Sequence, residues 1–588
     1  MKRVALLVAG LIGIGTTAAA QRPNLSPARW PAGEEARYHA LQNTVRTTAG
    51  MATGANGAVT VAYGAYAARA GLEALKQGGN AIDAALTTAL TQVALTGGAP
   101  ISYFGIMSLV YYDAKTGEIT AMNAGWNTVR GETSPLTIPG SVDLAGGKHL
   151  GTVPSGRTAL VGGFMKGVEA AHRRFGRLPF ATIFEPAIHV AEQGMPVTAK
   201  LADQFTMRAA DLARLPATRE AFLKPDGSTY RQGETFRQPA LARTLRAIAT
   251  TGADHMYRGP WAQRAVAAVQ ADGGKMALED LADYDVVWGA AIRAPFGGYE
   301  IATAGPPNGG GVAMIEAQNL AAAAGLPDVG HWSTSGQALR IAADVTQGWI
   351  VGLIPPPARK QMFPTLDFSD ASRITPAHAE ALWREIQAGR MPIKWGKDVP
   401  KHSDDVVVVD RDGNMAAITH SINCVIWGKT AITVDGITIG DPASFQQAAV
   451  AAAGPGNRLP DPTETGILLR DGKPVLAFAS MGSGLHQRTF QGLLNYTRYG
   501  MTVDQAIDAP DFFLPTMRPA QGGYVLAVPA GRFPKAVLDG SGLPYLELDS
   551  DSARFGGEGV WVAISRDPAT GALRAASHNR SNSAALAY

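Results

Sequence analysis

His402-Ser-Asp-Asp-Val-Val-Val-Val-Asp410-Arg-Asp-Gly-Asn-Met415-Ala-Ala-Ile-Thr-His-Ser421-Ile-Asn423 is the stretch on which the reading of this chain turns. Four successive valines bounded by turn formers read as a strand buried on both faces. Asp412-Gly413 is a strong hairpin signal, and Met415 to Thr419 supplies the returning strand. Opposed residues of an antiparallel hairpin share a face, so loop length decides what meets Ser403. A two-residue loop sets Ser403 opposite Ile422 and turns Ser421 and Asn423 away. A three-residue loop, Asp412 to Asn414, sets Ser403 opposite Asn423, with Ser421 diagonal on the same face. We expect the second register, with Gly413 or Asn414 in a left-handed bulge conformation.

The segment just before this ribbon has another character. Gly389, Arg390, Pro392, Lys394, Trp395, Lys397, Pro400, Lys401 and His402 form a basic, aperiodic run, read as an exposed segment or linker. A switch from loose linker to buried strand at Ser403 suits one kind of chemistry. If the preceding peptide bond is cut, the new α-amino group can take the serine proton, because its pKa of about 7.7–8.0 lies near working pH. Local features alone also fit a plain capping serine, since Ser-Asp-Asp is ordinary turn composition.

The rest of the chain narrows the class. With 588 residues, 46% hydrophobic and 17% charged, it is a folded protein with more than one ordinary core or one large layered fold. A formal charge of +3 gives no reason for a nucleic-acid partner. Lys2 and Arg3, an apolar run from Val4 to Ile14 and Ala18-Ala19-Ala20 read as a signal peptide over 1–20, so a periplasmic or secreted protein with no membrane contact after its removal is expected. Cys424 is the only cysteine; it excludes an intrachain disulfide and reads as a buried packing residue.

Periodicity predicts a helix from Gly64 to Leu75 stopped by Gly78-Gly79, a second from Ile82 to Leu95, and a hairpin of Met107–Tyr112 with Glu118–Asn123. Residues 157–285 read as mostly helical and 21–50 as irregular. A strand lies near Tyr299–Thr303, and Gly305 to Val312 leads into a helix from Ala313. That glycine cluster lacks the Lys-Ser/Thr of a phosphate loop.

The 402–423 stretch resembles the start of the small subunit of γ-glutamyltranspeptidases, in which a Thr opens the segment, a D-x-D-G-N turn follows and a T-x-T-x-N run comes after. Gly71 to Ala85 is similar to the family's G-x-x-x-L-x-x-G-G-N-A-x-D-A-A motif. Tyr257-Arg-Gly, Leu278 to Tyr284 and the terminal Ala584 to Tyr588 also match in order. The resemblance implies an α/β N-terminal nucleophile hydrolase fold, an αββα four-layer sandwich. It would be made of a large subunit (21–402) and a small subunit (403–588) cut from one precursor and held as a heterodimer. It implies Ser403 as self-cleavage residue and nucleophile, Ser421 as the hydroxyl orienting it, and Asn423 as a substrate-side amide. The oxyanion donors would be the backbone amides of Met481 and Gly482; a plain Gly/Ser turn is the other reading of that loop. It implies a small-molecule amide substrate, water or an amine as acceptor, and no cofactor or metal.

The departures concern the substrate. Where the family grips a carboxylate with an Arg in D-x-R-E-x-x-P, this chain reads Asn123-Ala-Gly125-Trp126-Asn127. Arg130 lies nearby at a different spacing. The family's amine-binding Asp before a Phe is Ser444 here, with Asp441 close, and its Ser-Ser pair is Asp461-Pro462. Losing charge-assisted contacts worth about 1.5–3 kcal/mol each disfavours a simple γ-glutamyl group. Trp126 and Tyr103 point to a more apolar acyl group. The expectation is an autoprocessed amidohydrolase or acyltransferase on a non-standard amide. The alternatives are a true γ-glutamyltranspeptidase (glutathione hydrolase) using Arg130, and a non-catalytic binding protein of the same fold.

Overall fold

A computed structural model describes residues 22–140, 154–351, 354, 356–389, 403–482, 485–513, 517–518, 523–549 and 559–588. The expected signal peptide over 1–20 and nearly all of the 389–402 run lie outside these. Two seven-stranded sheets face each other. The first has the order 584–587, 57–61, 403–410, 415–421, 106–112, 119–124, 287–290; the second runs 50–54, 573–577, 560–566, 473–481, 464–470, 299–303, 292–296. All pairings within both are antiparallel.

Strand alternation sorts the side chains into layers. Val407, Val409, Met415, Ala417 and Val110 meet Ile467, Ala477, Ala479, Met481 and Val562 between the sheets. Val406, Val408, Ala416 and Ile418 turn outward onto a helical layer holding Ala65–Lys76, Ala81–Leu95 and Phe164–Phe175. On the far side, Leu468, Phe478 and Trp561 pack on helices Gly310–Ala323 and Leu485–Thr497. The result is the αββα sandwich expected.

Helix Ala81–Leu95 is buried throughout and opens with a capping box, in which Asn80 accepts from the N–H groups of Ile82 and Asp83 and Asp83 returns the favour to Asn80. Three expectations shift. Residues 21–50 include the helix Glu34–Leu41; the stretch after Gly305 turns helical at Gly310, before Ala313; and Arg157 lies within the 3-10 turn Gly156–Thr158, the helix proper starting at Phe164.

The ribbon differs from its expected register by one pair. Ser403 stands directly opposite Ser421, and Val409 opposite Met415. The loop is Arg411-Asp412-Gly413. Gly413 (φ +88°) donates to the Asp410 carbonyl, and the Asp410 N–H donates to the Asn414 carbonyl. The Asp410 carboxylate takes the N–H groups of Asp412 and Asn414, which fixes Asp410 as the first turn residue and leaves glycine the bulge position.

Candidate active site

Every residue of Ser403–Asp410 is buried, and Ser403 opens that strand at the mouth of the space between the sheets. Hydrogen-bonded and non-hydrogen-bonded pairs alternate along an antiparallel ladder. Counting back from the bonded pair Asp410/Asn414, the pair Ser403/Ser421 is non-bonded, the kind whose Cα atoms approach to about 4.5 Å and whose side chains lie closest. On its other side, the ladder to 57–61 ends where the Ala62 N–H meets the Asp405 carbonyl at 3.2 Å. The Ser403 N–H therefore has no ladder partner, and its side chain shares a face with Val407, Val409 and Ser421.

Ser421 and Asn423 form one unit. The Asn423 N–H donates to Ser421 Oγ at 2.8 Å, and Ser421 Oγ donates to Asn423 Oδ1 at 3.1 Å. This serine turn holds Asn423 at φ +45°, a left-handed conformation that asparagine tolerates. Across the mouth, Met481 ends the strand Lys473–Met481 opposite Val560, with its side chain in the inter-sheet core. Gly482 follows at φ +92°, and its N–H has no acceptor among the described residues. A fixed, unspent donor of this kind suits an oxyanion. Ser480 Oγ donates to the Val560 carbonyl at 2.8 Å, and His486 Nδ1 is bonded to the buried Glu464 carboxylate, tying the next helix to the strand behind this loop.

The residues expected to recognise substrate scatter. Trp126 is buried with Ile106, Leu160, Ala443, Val450 and Leu459, and Ile106 is the ladder partner of Ser421. An apolar wall thus adjoins the Ser403/Ser421 pair. Ser444 sits in the 3-10 turn Pro442–Phe445 on the same cluster. Asp441 is buried and accepts the Lys429 N–H at 2.6 Å; burial pushes its carboxyl up to about 6. Asp461 accepts the Thr463 N–H at 3.0 Å and bridges to Asn308. Two residues go elsewhere. Arg130 is half exposed and paired with Asp283 at 2.8 Å, so it does not reach the site. Tyr103 is core, its hydroxyl donating to the Leu90 carbonyl.

Sequence reasoning missed Arg458 and Asn308. A Cβ on Gly125 would lie 3.4 Å from Arg458 Cδ, so this arginine fills the space beside the glycine. Its guanidinium is spent on Asn127 Oδ1, Asn123 O and Oδ1, and the Asp285 carbonyl. Asn308 ties Ser108 and Asn123 of the first sheet to Thr463, the residue before strand 464–470 of the second. Nothing local in either segment signals such long-range partners.

The family described as Gamma-glutamyltranspeptidase matches residues 67–588. The glutathione hydrolase proenzyme of Pseudomonas sp. (strain A14) is 27% identical over 485 residues, 78% of this chain and 82% of that protein. The Acylase ACY 1 proenzyme of Pseudomonas sp. (strain SE83) is 27% identical over 479 residues, again 78% and 82%. The crystal structure of a cephalosporin acylase from Bacillus halodurans superposes with a TM-score of 0.74 at 23% identity, covering 92% of this chain and 97% of that one, and so shares the fold.

Proposed function

The chain belongs to the γ-glutamyltranspeptidase family of amide-hydrolysing N-terminal nucleophile enzymes, and from that premise we propose that it is an autoprocessed amidohydrolase or acyltransferase whose acyl-enzyme forms on Ser403. One observation carries the reading: Ser403 opens a buried strand directly opposite Ser421, with its own N–H unused by the ladder.

Cleavage before Ser403 converts that N–H into an amine. The amine takes the Ser403 hydroxyl proton as Oγ attacks the substrate's amide carbon. The oxyanion that forms takes hydrogen bonds from the backbone amides of Gly482 and Met481. The C–N bond then breaks, the proton passes to the leaving amine, and an ester remains on Oγ. Water or an amine adds to that ester by the same route in reverse and frees Ser403. Ser421, bound to Asn423, orients the hydroxyl, and Asn423 offers its amide to the acyl group.

The wall of Trp126, Ile106, Leu160 and Leu459 supports an apolar acyl group rather than a simple γ-glutamyl group, and the relatives named as acylases support the wider amidohydrolase class. The glutathione hydrolase relatives support the second reading, a true γ-glutamyltranspeptidase. An exported precursor cut into segments 21–402 and 403–588 completes the proposal. Among the described residues no helix is long and apolar enough to cross a membrane.

A denaturing gel of the mature protein beside Ser403→Ala tests it. Two fragments meeting at Ser403, one uncut chain in the variant and a loss of turnover of about 10⁴-fold or more are expected. Full activity with the 402–403 bond intact would end the proposal. Comparing acyl anilides with γ-glutamyl anilide separates the two substrate readings.

A further inference from the structure

Asp404 and Asp405 follow the nucleophile and turn to opposite faces of its strand, and both are wholly buried. Asp404 Oδ1 accepts the N–H groups of Tyr63 and Asp405 at 3.0 and 2.9 Å, and Asp405 Oδ1 accepts the Thr419 hydroxyl at 2.6 Å. The second oxygen of each is buried and has no partner among the described residues. Among the described residues neither carboxyl has an ion-pair partner; the charged groups that Asp404 senses are Asp405 and Lys200, whose ammonium sits 4.1 Å over the Tyr63 ring. Two neighbouring anions with no cation paired to either would be poorly tolerated there.

His420 stands directly opposite Asp404 on the helix-facing side. Its Nε2 lies 2.9 Å from Gln92 Oε1, and Gln92 spends its Nε2 on the Tyr63 carbonyl at 2.9 Å. The glutamine therefore presents an oxygen to the imidazole, so the ring hydrogen sits on Nε2 and Nδ1 keeps its lone pair. Nδ1 is buried without a partner. Phe164 packs on the ring at 5.3 Å, and burial pushes the imidazole down to about 3, which keeps it neutral. An orphan acceptor thus stands opposite an orphan oxygen across a hydrogen-bonded ladder pair, where Cα atoms are about 5.5 Å apart. A small side-chain rotation, or one bridging water, joins them.

We infer that Asp404 is held as a neutral acid beside the amine of Ser403, its proton directed at Nδ1 of a neutral His420, so that no fixed negative charge loads the catalytic base. A carboxylate one residue away would stabilise the ammonium form and leave less free amine at neutral pH. Asp404 is thus a tuning residue that touches no substrate. Its effect on catalysis rests on the proposed role of the Ser403 amine; its protonation state does not.

Infrared difference spectra of wild type minus Asp404→Asn, at pH 7, test the acid directly. A carboxylic-acid carbonyl band lost in the variant is expected, and carboxylate bands would overturn the inference. Nitrogen NMR of His420 in the wild type needs no variant that must fold: a bare Nδ1 and a protonated Nε2 from pH 5 to 8 are expected, and an imidazolium would overturn it. The acid limb of kcat/KM should move by less than about 0.3 unit in Asp404→Asn, whereas a downward shift of about one unit or more would mean a charged Asp404. The spectra can be read on Ser403→Ala as well. An ionised pair in a cut, active enzyme sinks this inference alone; a neutral pair in an enzyme that works without Ser403 sinks the site assignment alone.

Discussion

Ser403, Ser421 and Asn423 are carried by one hairpin, laddered on both sides and buried along its length, whereas Trp126, Asp441, Ser444 and Asp461 stand on irregular backbone contributed by three separated segments. In the first region, position is set by register. A residue can leave its place only if a whole strand slips, and that would turn every valine of Val406 to Val409 to the wrong face. In the second, position is set by side chains packing on one another, and each can change with only its neighbours adjusting. On the proposed reading, the reacting groups are therefore held more tightly than the groups that would choose the acyl partner, and the departures from the family's motifs fall on irregular backbone.

That contrast can be broken by substitution. Ser421→Ala removes both bonds to Asn423 while leaving the strand intact; kcat should fall about ten- to a hundredfold, with Ser421→Thr within a few-fold of wild type, as steady-state kinetics will show. A loss as small as that at Arg130 would erase the distinction. Trp126→Ala should cost about 3–5 kcal/mol of stability by denaturant unfolding, while Trp126→Phe keeps the fold and raises KM selectively for apolar acyl groups.

Asp441 sharpens the comparison through pH. Its carboxyl is raised to about 6 in the folded protein by burial, above its unfolded value, so the native state binds the extra proton between the two. Its contribution is whole below about pH 4 and is lost as pH rises through 6, an amount on the order of 2–3 kcal/mol. Asp441→Asn should flatten that part of the stability–pH curve, and an unchanged slope would show the residue to be ionised when folded. Arg130→Ala should do least, within about 1 kcal/mol and twofold in kinetics, because the Arg130–Asp283 pair is exposed.

The ribbon was legible in sequence because the valine run, Asp412-Gly413 and the returning strand are local signals. The register missed by one pair because Asp412-Gly413 was read as the start of the loop. The Asp410 side chain, capping the N–H groups of Asp412 and Asn414, starts the turn one residue earlier than expected. The shared face of Ser403 and Ser421 survived because both loops have odd length. Ser-Asp-Asp looked like surface composition; its burial comes from the neighbouring strand 57–61 and helix 81–95, more than three hundred residues away in sequence. Arg458 and Asn308 were invisible for the same reason. Arg130 looked available because sequence distance to Gly125 is short, but the loop turns it toward helix Leu278–Ala282.

Both sheets mix strands from before and after Ser403: 57–61 lies between 584–587 and 403–410, and 464–470 pairs with 299–303. A backbone cut at Ser403 would therefore remove no strand from its neighbours. The two resulting polypeptides would share joint custody of both sheets, neither able to keep one whole by itself. Such a nicked molecule could not come apart by simple dissociation, and pulling out one fragment would mean melting the other.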